Sequence, residues 1–174
     1  MKIKPVYIVN FIFIGVIIAV LFTPLRSILE KVQSTDAQSE FSTIKTLTPE
    51  QYDIELKGVN TADTNFRNFK GKKIFLNFWG TWCQICMEEM PDIQKLYDKK
   101  GNNLQFVLIY IKDERAKVLE YLKANRYTFP VYEATSPIDA ALLPKTFPTT
   151  FLIDEKGNIK EQIEGSKDWK NLSF

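Results

Sequence analysis

The sequence predicts an α/β sandwich with a mixed central sheet, preceded by an N-terminal transmembrane helix, and three observations carry this. Residues 5–25 contain no charged side chain. From about residue 49 onward, strand-like apolar runs alternate with segments of helical period, the pattern of βαβ units and parallel pairing. Two further strand-like segments then flank a turn-forming tetrapeptide, which adds an antiparallel hairpin to the parallel part.

The uncharged stretch PVYIVNFIFIGVIIAVLFTPL is long enough, as a helix, to cross a hydrocarbon core of roughly 30 Å. Residues 6–23 are the expected span and residues 1–25 the anchor, with Asn10 a weak point in it. A cleavable signal peptide begins in the same way. The retained anchor is preferred because the apolar run exceeds a signal h-region, no small-x-small triplet follows Phe22 directly, and no cysteine stands there for lipidation. Lys2 and Lys4 place the N-terminus in the cytoplasm, although Arg26 and Lys31 blunt the asymmetry. The expected location is the cytoplasmic (inner) membrane, single-pass, with the rest of the chain facing the periplasm or cell exterior.

Leu25, Ile28, Leu29 and Val32 recur at helical spacing and extend the anchor along the membrane surface, and residues 33–48 read as a polar tether. Residues 26–48 are thus a juxtamembrane segment and tether, and residues 49–174 the folded domain. Residues 52–57 alternate apolar and charged as a strand, and residues 59–71 are a polar stretch. Residues 72–79, KKIFLNFW, form a strand apolar on both faces and hence central. Residues 83–100 are helical, with Met87, Met90, Ile93, Leu96 and Tyr97 on one face and a kink expected at Pro91.

Residues 104–111 are a second buried strand, and Asp113 is placed to cap a helix over residues 114–125. Residues 129–133 form a short strand, and Ser136-Pro137 starts a short helix through Leu142. Residues 149–154 and 159–164 are the hairpin strands, closed by Gly165. Helices are expected on both faces of the sheet.

Composition narrows the function. The chain has 174 residues, 45% hydrophobic and 25% charged, which suits one globular domain beside the anchor. Its net charge of +2 belongs to the leader: without Lys2, Lys4, Arg26, Lys31 and Glu30 the remainder carries −1. No electrostatic footprint is left to hold a phosphate backbone, so nucleic acid is not an expected partner. The absence of histidine removes Ser-His-Asp and Cys-His nucleophile systems and imidazole metal ligation.

The chemistry concentrates at Trp82-Cys83-Gln84-Ile85-Cys86, which contains both cysteines of the chain. Two cysteines placed at random would fall three apart only about 1% of the time. The pair stands where a buried strand meets a helix N-terminus, whose free amides and dipole stabilise a thiolate on Cys83. Cys83 is therefore the expected attacking sulfur. Cys86, one turn inward, resolves the mixed disulfide. A structural zinc site lacks ligands, since two cysteines and no histidine are too few. A purely structural disulfide across two intervening residues constrains the unfolded chain little. Trp82 either flanks and shields the dithiol or is a core aromatic, and the first reading is preferred; Trp79 is assigned to packing. Asn171-Leu172-Ser173 matches a glycosylation sequon and is discounted.

These residues resemble a known family. Phe78-Trp79-Gly80-Thr81-Trp82-Cys83-Gln84-Ile85-Cys86, then Glu89-Met90-Pro91, then Phe147-Pro148-Thr149-Thr150-Phe151-Leu152-Ile153-Asp154 are similar to the TlpA/ResA group of membrane-anchored thiol-disulfide oxidoreductases. The resemblance covers roughly residues 50–170 and implies a thioredoxin-like fold. It further implies that Pro148 follows a cis peptide bond against the disulfide, with Phe147 forming part of the substrate groove. Glu89, one helical turn after Cys86, borders the active site in that pattern. Partly buried, it would have a raised pKa and exchange a proton with Cys86; the alternative is a solvated helix-face glutamate like Glu88.

Two departures stand out. Ile85 occupies the place where many members carry proline, and Asn77 stands where thioredoxins proper have a buried aspartate, which leaves Glu89 as the better proton carrier. After Gly165 the family continues into a final helix, for which residues 166–174 leave little length; Trp169, Leu172 and Phe174 are candidates to cover the exposed strip.

The leading expectation is a membrane-tethered thiol-disulfide oxidoreductase. By analogy with the group it reduces disulfides in exported client proteins, for example in cytochrome c maturation, and is itself reduced by a membrane electron donor of the thiol-disulfide relay type. No cofactor or metal is expected, and a monomer is. Two alternatives stay open. A peroxiredoxin-like thiol peroxidase expects threonine three residues before the reactive cysteine, whereas Thr81 is two before Cys83, and no arginine lies between Arg67 and Arg115. A noncatalytic Cu(I)-binding or scaffold protein of the same fold lacks the histidine such proteins usually add.

Overall fold

The computed structural model describes residues 46–170 and 172–174. The expected membrane span at residues 6–23 and nearly all of the juxtamembrane tether lie outside the described residues. No described helix is long and apolar enough to cross a membrane.

The domain begins with a 3₁₀ turn, Glu50–Tyr52, where the alternating pattern had suggested the start of a strand. Thr48 and Gln51 cause this by capping each other: the Thr48 amide donates to Gln51 Oε1 at 2.9 Å and the Gln51 amide to Thr48 Oγ1 at 3.4 Å. Strand β1, Glu55–Gly58, follows with Leu56 inward and Glu55 and Lys57 outward. The polar stretch after it hides two further elements. Strand β2, Thr64–Asn65, pairs antiparallel with β1. The 3₁₀ turn Phe66–Phe69 is capped by the Asn65 side chain accepting from the Arg67 amide, and buries Phe66 and Phe69.

Strand β3, Ile74–Trp79, is buried at every residue, as its unbroken apolar run requires. Helix α1, Gln84–Lys100, runs on through Pro91 as one element. Pro91 has no amide hydrogen to give to the Met87 carbonyl. That carbonyl instead accepts from the Tyr121 hydroxyl at 3.4 Å, a link from α1 to helix α2, Arg115–Asn125, which follows strand β4, Gln105–Tyr110. Asp113 does not cap α2. Glu114 is the N-cap, without a side-chain bond, and α2 ends at Arg126 in the left-handed conformation.

Strands β5, Val131–Ala134, β6, Thr149–Ile153, and β7, Ile159–Glu164, complete a seven-stranded sheet of order β2-β1-β5-β4-β3-β6-β7. The pairs β3/β4 and β4/β5 are parallel and all others antiparallel, so the mixed sheet and its hairpin are as expected. The helix expected from Ser136 to Leu142 does not form. The Ser136 hydroxyl accepts from the Glu55 amide at 2.8 Å instead of capping, and Asp139 folds a turn by accepting from the Ala141 amide at 2.9 Å.

That change alters the layers. Phe75, Trp79, Phe106, Leu108, Val131 and Leu152 face both helices, meeting Met90, Ile93 and Leu96 of α1 and Val118 and Leu122 of α2. The opposite face, with Ile74, Leu76, Phe78, Val107, Ile109 and Phe151, is covered by Leu47, Tyr52, Phe66, Phe69 and Leu142 from turns and irregular segments. Among the described residues both α-helices therefore lie on one face, and the expectation of helices on both is corrected. The C-terminal segment after Gly165 has no regular helix among its described residues. Trp169 and Leu172 nevertheless reach the helix-side core, Trp169 meeting Phe75 edge-on at 4.9 Å.

Candidate active site

The carboxyl end of β3 delivers the chain to the N-terminus of α1 through Gly80, Thr81 and Trp82. A Cβ on Gly80 would collide with the Trp82 indole, so glycine is what lets the ring fold back over the loop. Three bonds tie this turn to the segment after β4. The Thr81 amide donates to Asp113 Oδ2 at 2.5 Å, Trp82 Nε1 to the Ile111 carbonyl at 2.9 Å, and the Ile111 amide to the Trp79 carbonyl at 2.9 Å. Asp113, whose other oxygen accepts from the Glu114 amide at 2.8 Å, thus braces the loop before the cysteines.

Cys83 and Cys86 are joined in a disulfide with Cα atoms 5.2 Å apart. Cys83 is the N-cap of α1, its sulfur accepting from the Cys86 amide at 3.2 Å. An amide hydrogen and the positive end of the helix dipole therefore already point at the sulfur that becomes a thiolate on reduction. Cys83 retains 8% exposure and Cys86 none, so only Cys83 can be approached from outside.

The Phe147-Pro148 peptide bond is cis, in accord with the resemblance. Trp82 is 52% exposed and meets Phe147 edge-on at 5.1 Å. It is a surface residue and not a core aromatic. Trp79, in contrast, is fully buried beside Tyr121. Ile85 is 51% exposed, which gives the helix start an apolar surface where proline is common. Beside Trp82 an open cleft of about 630 Å³ is lined by Thr81, Lys112, Asp113, Glu114 and Lys117.

Glu89 is buried in the core, whereas Glu88 is exposed and bonded to Gln84. Its Oε1 accepts from Asn77 Nδ2 at 3.2 Å and its Oε2 from Trp169 Nε1 at 3.1 Å. Burial pushes the Glu89 carboxyl up to about 7, against the lowering effect of the Trp169 and Asn77 donors and the Lys167 amide. Among the described residues no cation pairs with it. The carboxyl is thus held near neutrality one helical turn after Cys86.

Three members of this polar cluster were not anticipated as partners. In the sequence Asn77 stands out only as a departure from aspartate, yet it holds Glu89 with one amide hydrogen and donates to Thr150 Oγ1 at 2.9 Å. A lone amide within the apolar run of β3 is the signal that was available. Thr150 follows from Asn77 once the β3/β6 register pairs the two. For Trp169 no local signal exists. Among the described residues no group of three or more cysteine and carboxylate side chains is placed to hold a metal ion.

A model of the family described as Redoxin matches residues 42–173. The thioredoxin-like protein YneN of Bacillus subtilis is 32% identical over 123 residues, which cover 69% of this chain and 72% of that protein. The thiol-disulfide oxidoreductase ResA of Bacillus cereus is 34% identical over 122 residues, covering 69% and 68%. Among solved structures, StoA from Bacillus subtilis superposes with a TM-score of 0.55 at 29% identity, over 67% of this chain and 90% of that one. The domain accordingly has the thioredoxin-like α/β fold.

Proposed function

The chain belongs to the Redoxin family and is a thiol-disulfide oxidoreductase, and from that premise we propose that it works outside the cytoplasm, tethered by residues 6–23, reducing disulfides of exported clients. The observation that carries this reading is the asymmetry of the pair: Cys83 keeps a small exposed surface, whereas Cys86 is sealed, with the buried carboxyl of Glu89 one helical turn further on.

In the reduced enzyme the Cys83 thiolate attacks a client disulfide, forming a Cys83–client bond while the displaced client sulfur leaves as a thiolate and is protonated. Cys86 then gives its proton to Glu89 and attacks Cys83 Sγ, so that the mixed disulfide breaks and the second client sulfur departs. Two electrons have moved to the client, and the Cys83-Cys86 disulfide remains. A membrane dithiol donor restores the reduced form. Cytochrome c apoproteins, with their paired cysteines, are a client class consistent with this chemistry.

The experiment is the equilibrium reduction potential of the full chain in detergent against glutathione or dithiothreitol buffers, with Cys83→Ser and Cys86→Ser as controls. A potential near thioredoxin's roughly −270 mV is expected for a dedicated reductant; one near roughly −120 mV would overturn the reducing direction. Protection of the domain from protease in intact cells, lost on permeabilisation of the cell wall and outer layers, would instead sink only a surface-facing orientation; cofractionation with membranes tests the tether.

A further inference from the structure

We propose that Trp169, in the C-terminal segment, is a positioning residue for the exchange reaction: its indole N–H holds the Glu89 carboxylate in place behind Cys86. The inference rests on the reading above that Glu89 exchanges a proton with Cys86, and it adds the element that sets how readily it does so.

Trp169 is fully buried, and a buried indole N–H needs an acceptor. It finds Glu89 Oε2 at 3.1 Å. An indole nitrogen donates and never accepts, so this contact favours the ionised carboxylate over the neutral acid. Asn77 does the same at the other oxygen, itself held by Thr150. The carboxyl is thus gripped by Asn77 from the sheet and, from the tail, by the Trp169 indole and the Lys167 amide.

The tail is fastened on two sides of that contact. Lys167 pairs with Glu161 of β7 at 2.7 Å, with its ammonium 5.8 Å from the centre of the Trp169 ring. Lys100, at the end of α1, donates to the Leu172 carbonyl at 2.5 Å. The Trp169 ring itself packs edge-on against Phe75. The geometry of Glu89 therefore depends on a segment about eighty residues away in sequence.

Among the described residues no charged side chain competes for this role. On α1, Glu88 points outward to Gln84, and Asp92 is engaged by Lys95 and Lys170. The sheet presents only the neutral Asn77 and Thr150, and in the tail Lys167 is paired with Glu161 while Asp168 is exposed and accepts from the Lys170 amide. Burial is opposed by three neutral donors, of which the Trp169 N–H acts most strongly, so its loss removes the largest single contribution that keeps the carboxylate ionisable.

The test uses the full chain in detergent micelles, oxidised so that the cysteines do not titrate, with ¹⁵N in its three tryptophans. The Trp169 indole resonance, identified by its loss in Trp169→Phe, is expected to titrate near pH 7 in the parent protein and to stay flat in Glu89→Gln. In client-disulfide exchange, Trp169→Phe retains the aromatic contact and is expected to move the acidic limb of the pH profile upward by about one unit, roughly a tenfold loss of rate below it. If none of the three indole resonances titrates between pH 5 and 9, the proposal is overturned without any variant having to fold. An unmoved limb in Trp169→Phe, with the limb abolished in Glu89→Gln, also overturns it while sparing Glu89. If Glu89→Gln leaves the limb intact, the proton-carrier reading falls and the positioning role falls with it.

Discussion

A carboxyl group sealed among apolar side chains usually takes a salt bridge, and among the described residues Glu89 has only amide and indole donors. Its value of about 7 in the folded protein stands above the ordinary 4.5, so the folded state binds this proton more tightly than the unfolded chain. Stability from this group is complete below about pH 4.5 and is lost as pH rises through 7. Over that window the loss amounts to about 3 kcal/mol. Urea unfolding of the oxidised protein at pH 5 and pH 8 is expected to show this decline, and Glu89→Gln to flatten it. Stability in Glu89→Gln that still falls as steeply would mean that another group is responsible. At the cysteines, Cys86→Ser is expected to accumulate a Cys83–client mixed disulfide, seen as a mass adduct. Cys83→Ser should lose exchange by about 10³-fold or more, because Cys86 is sealed.

Among elements, the strand-to-helix turn that carries the cysteines is held from outside itself. The segment after β4 supplies Asp113 and the Ile111 carbonyl to hold it, and Phe147 supplies an edge for the Trp82 ring. Because Trp82 is half exposed, Trp82→Ala should cost less than about 1 kcal/mol in stability while raising KM for a disulfide peptide several-fold. Steady-state kinetics beside a thermal melt separates the two; an unchanged KM would show that the ring does not touch clients. The motif turn, β3, α1 and the β6/β7 hairpin were legible because each carries its own periodicity or turn chemistry. The 3₁₀ turn Phe66–Phe69 and the turn around Asp139 were not. Their conformations come from single capping and turn bonds, made by Asn65 and Asp139, that leave no period in the sequence.

At the scale of the molecule, the sheet has two unlike faces. One is a helix-covered core that contains the disulfide; the other is closed by turns carrying Tyr52, Phe66 and Phe69, with Tyr52 and Phe66 stacked at 5.3 Å. Phe66→Ala, at a fully buried ring, is expected to destabilise the fold by about 3–5 kcal/mol in urea denaturation. Its reduction potential should stay within a few millivolts of the parent, since the dithiol belongs to the other core. A large shift in potential would show that the two faces are coupled through the sheet.

The sequence by itself determined the α/β class, the central place of β3 and the cysteine pair at the strand-to-helix turn. Those properties follow from apolar period, from a helix starting at Cys83 and from a motif of adjacent residues. Only the tertiary structure decided that both helices share a face and that Asp113 braces the active-site turn. It also decided that Asn77, Thr150 and Trp169 surround Glu89. These depend on contacts between residues far apart in the chain, where a hydrogen-bond partner is chosen by packing and register and leaves no trace in local pattern.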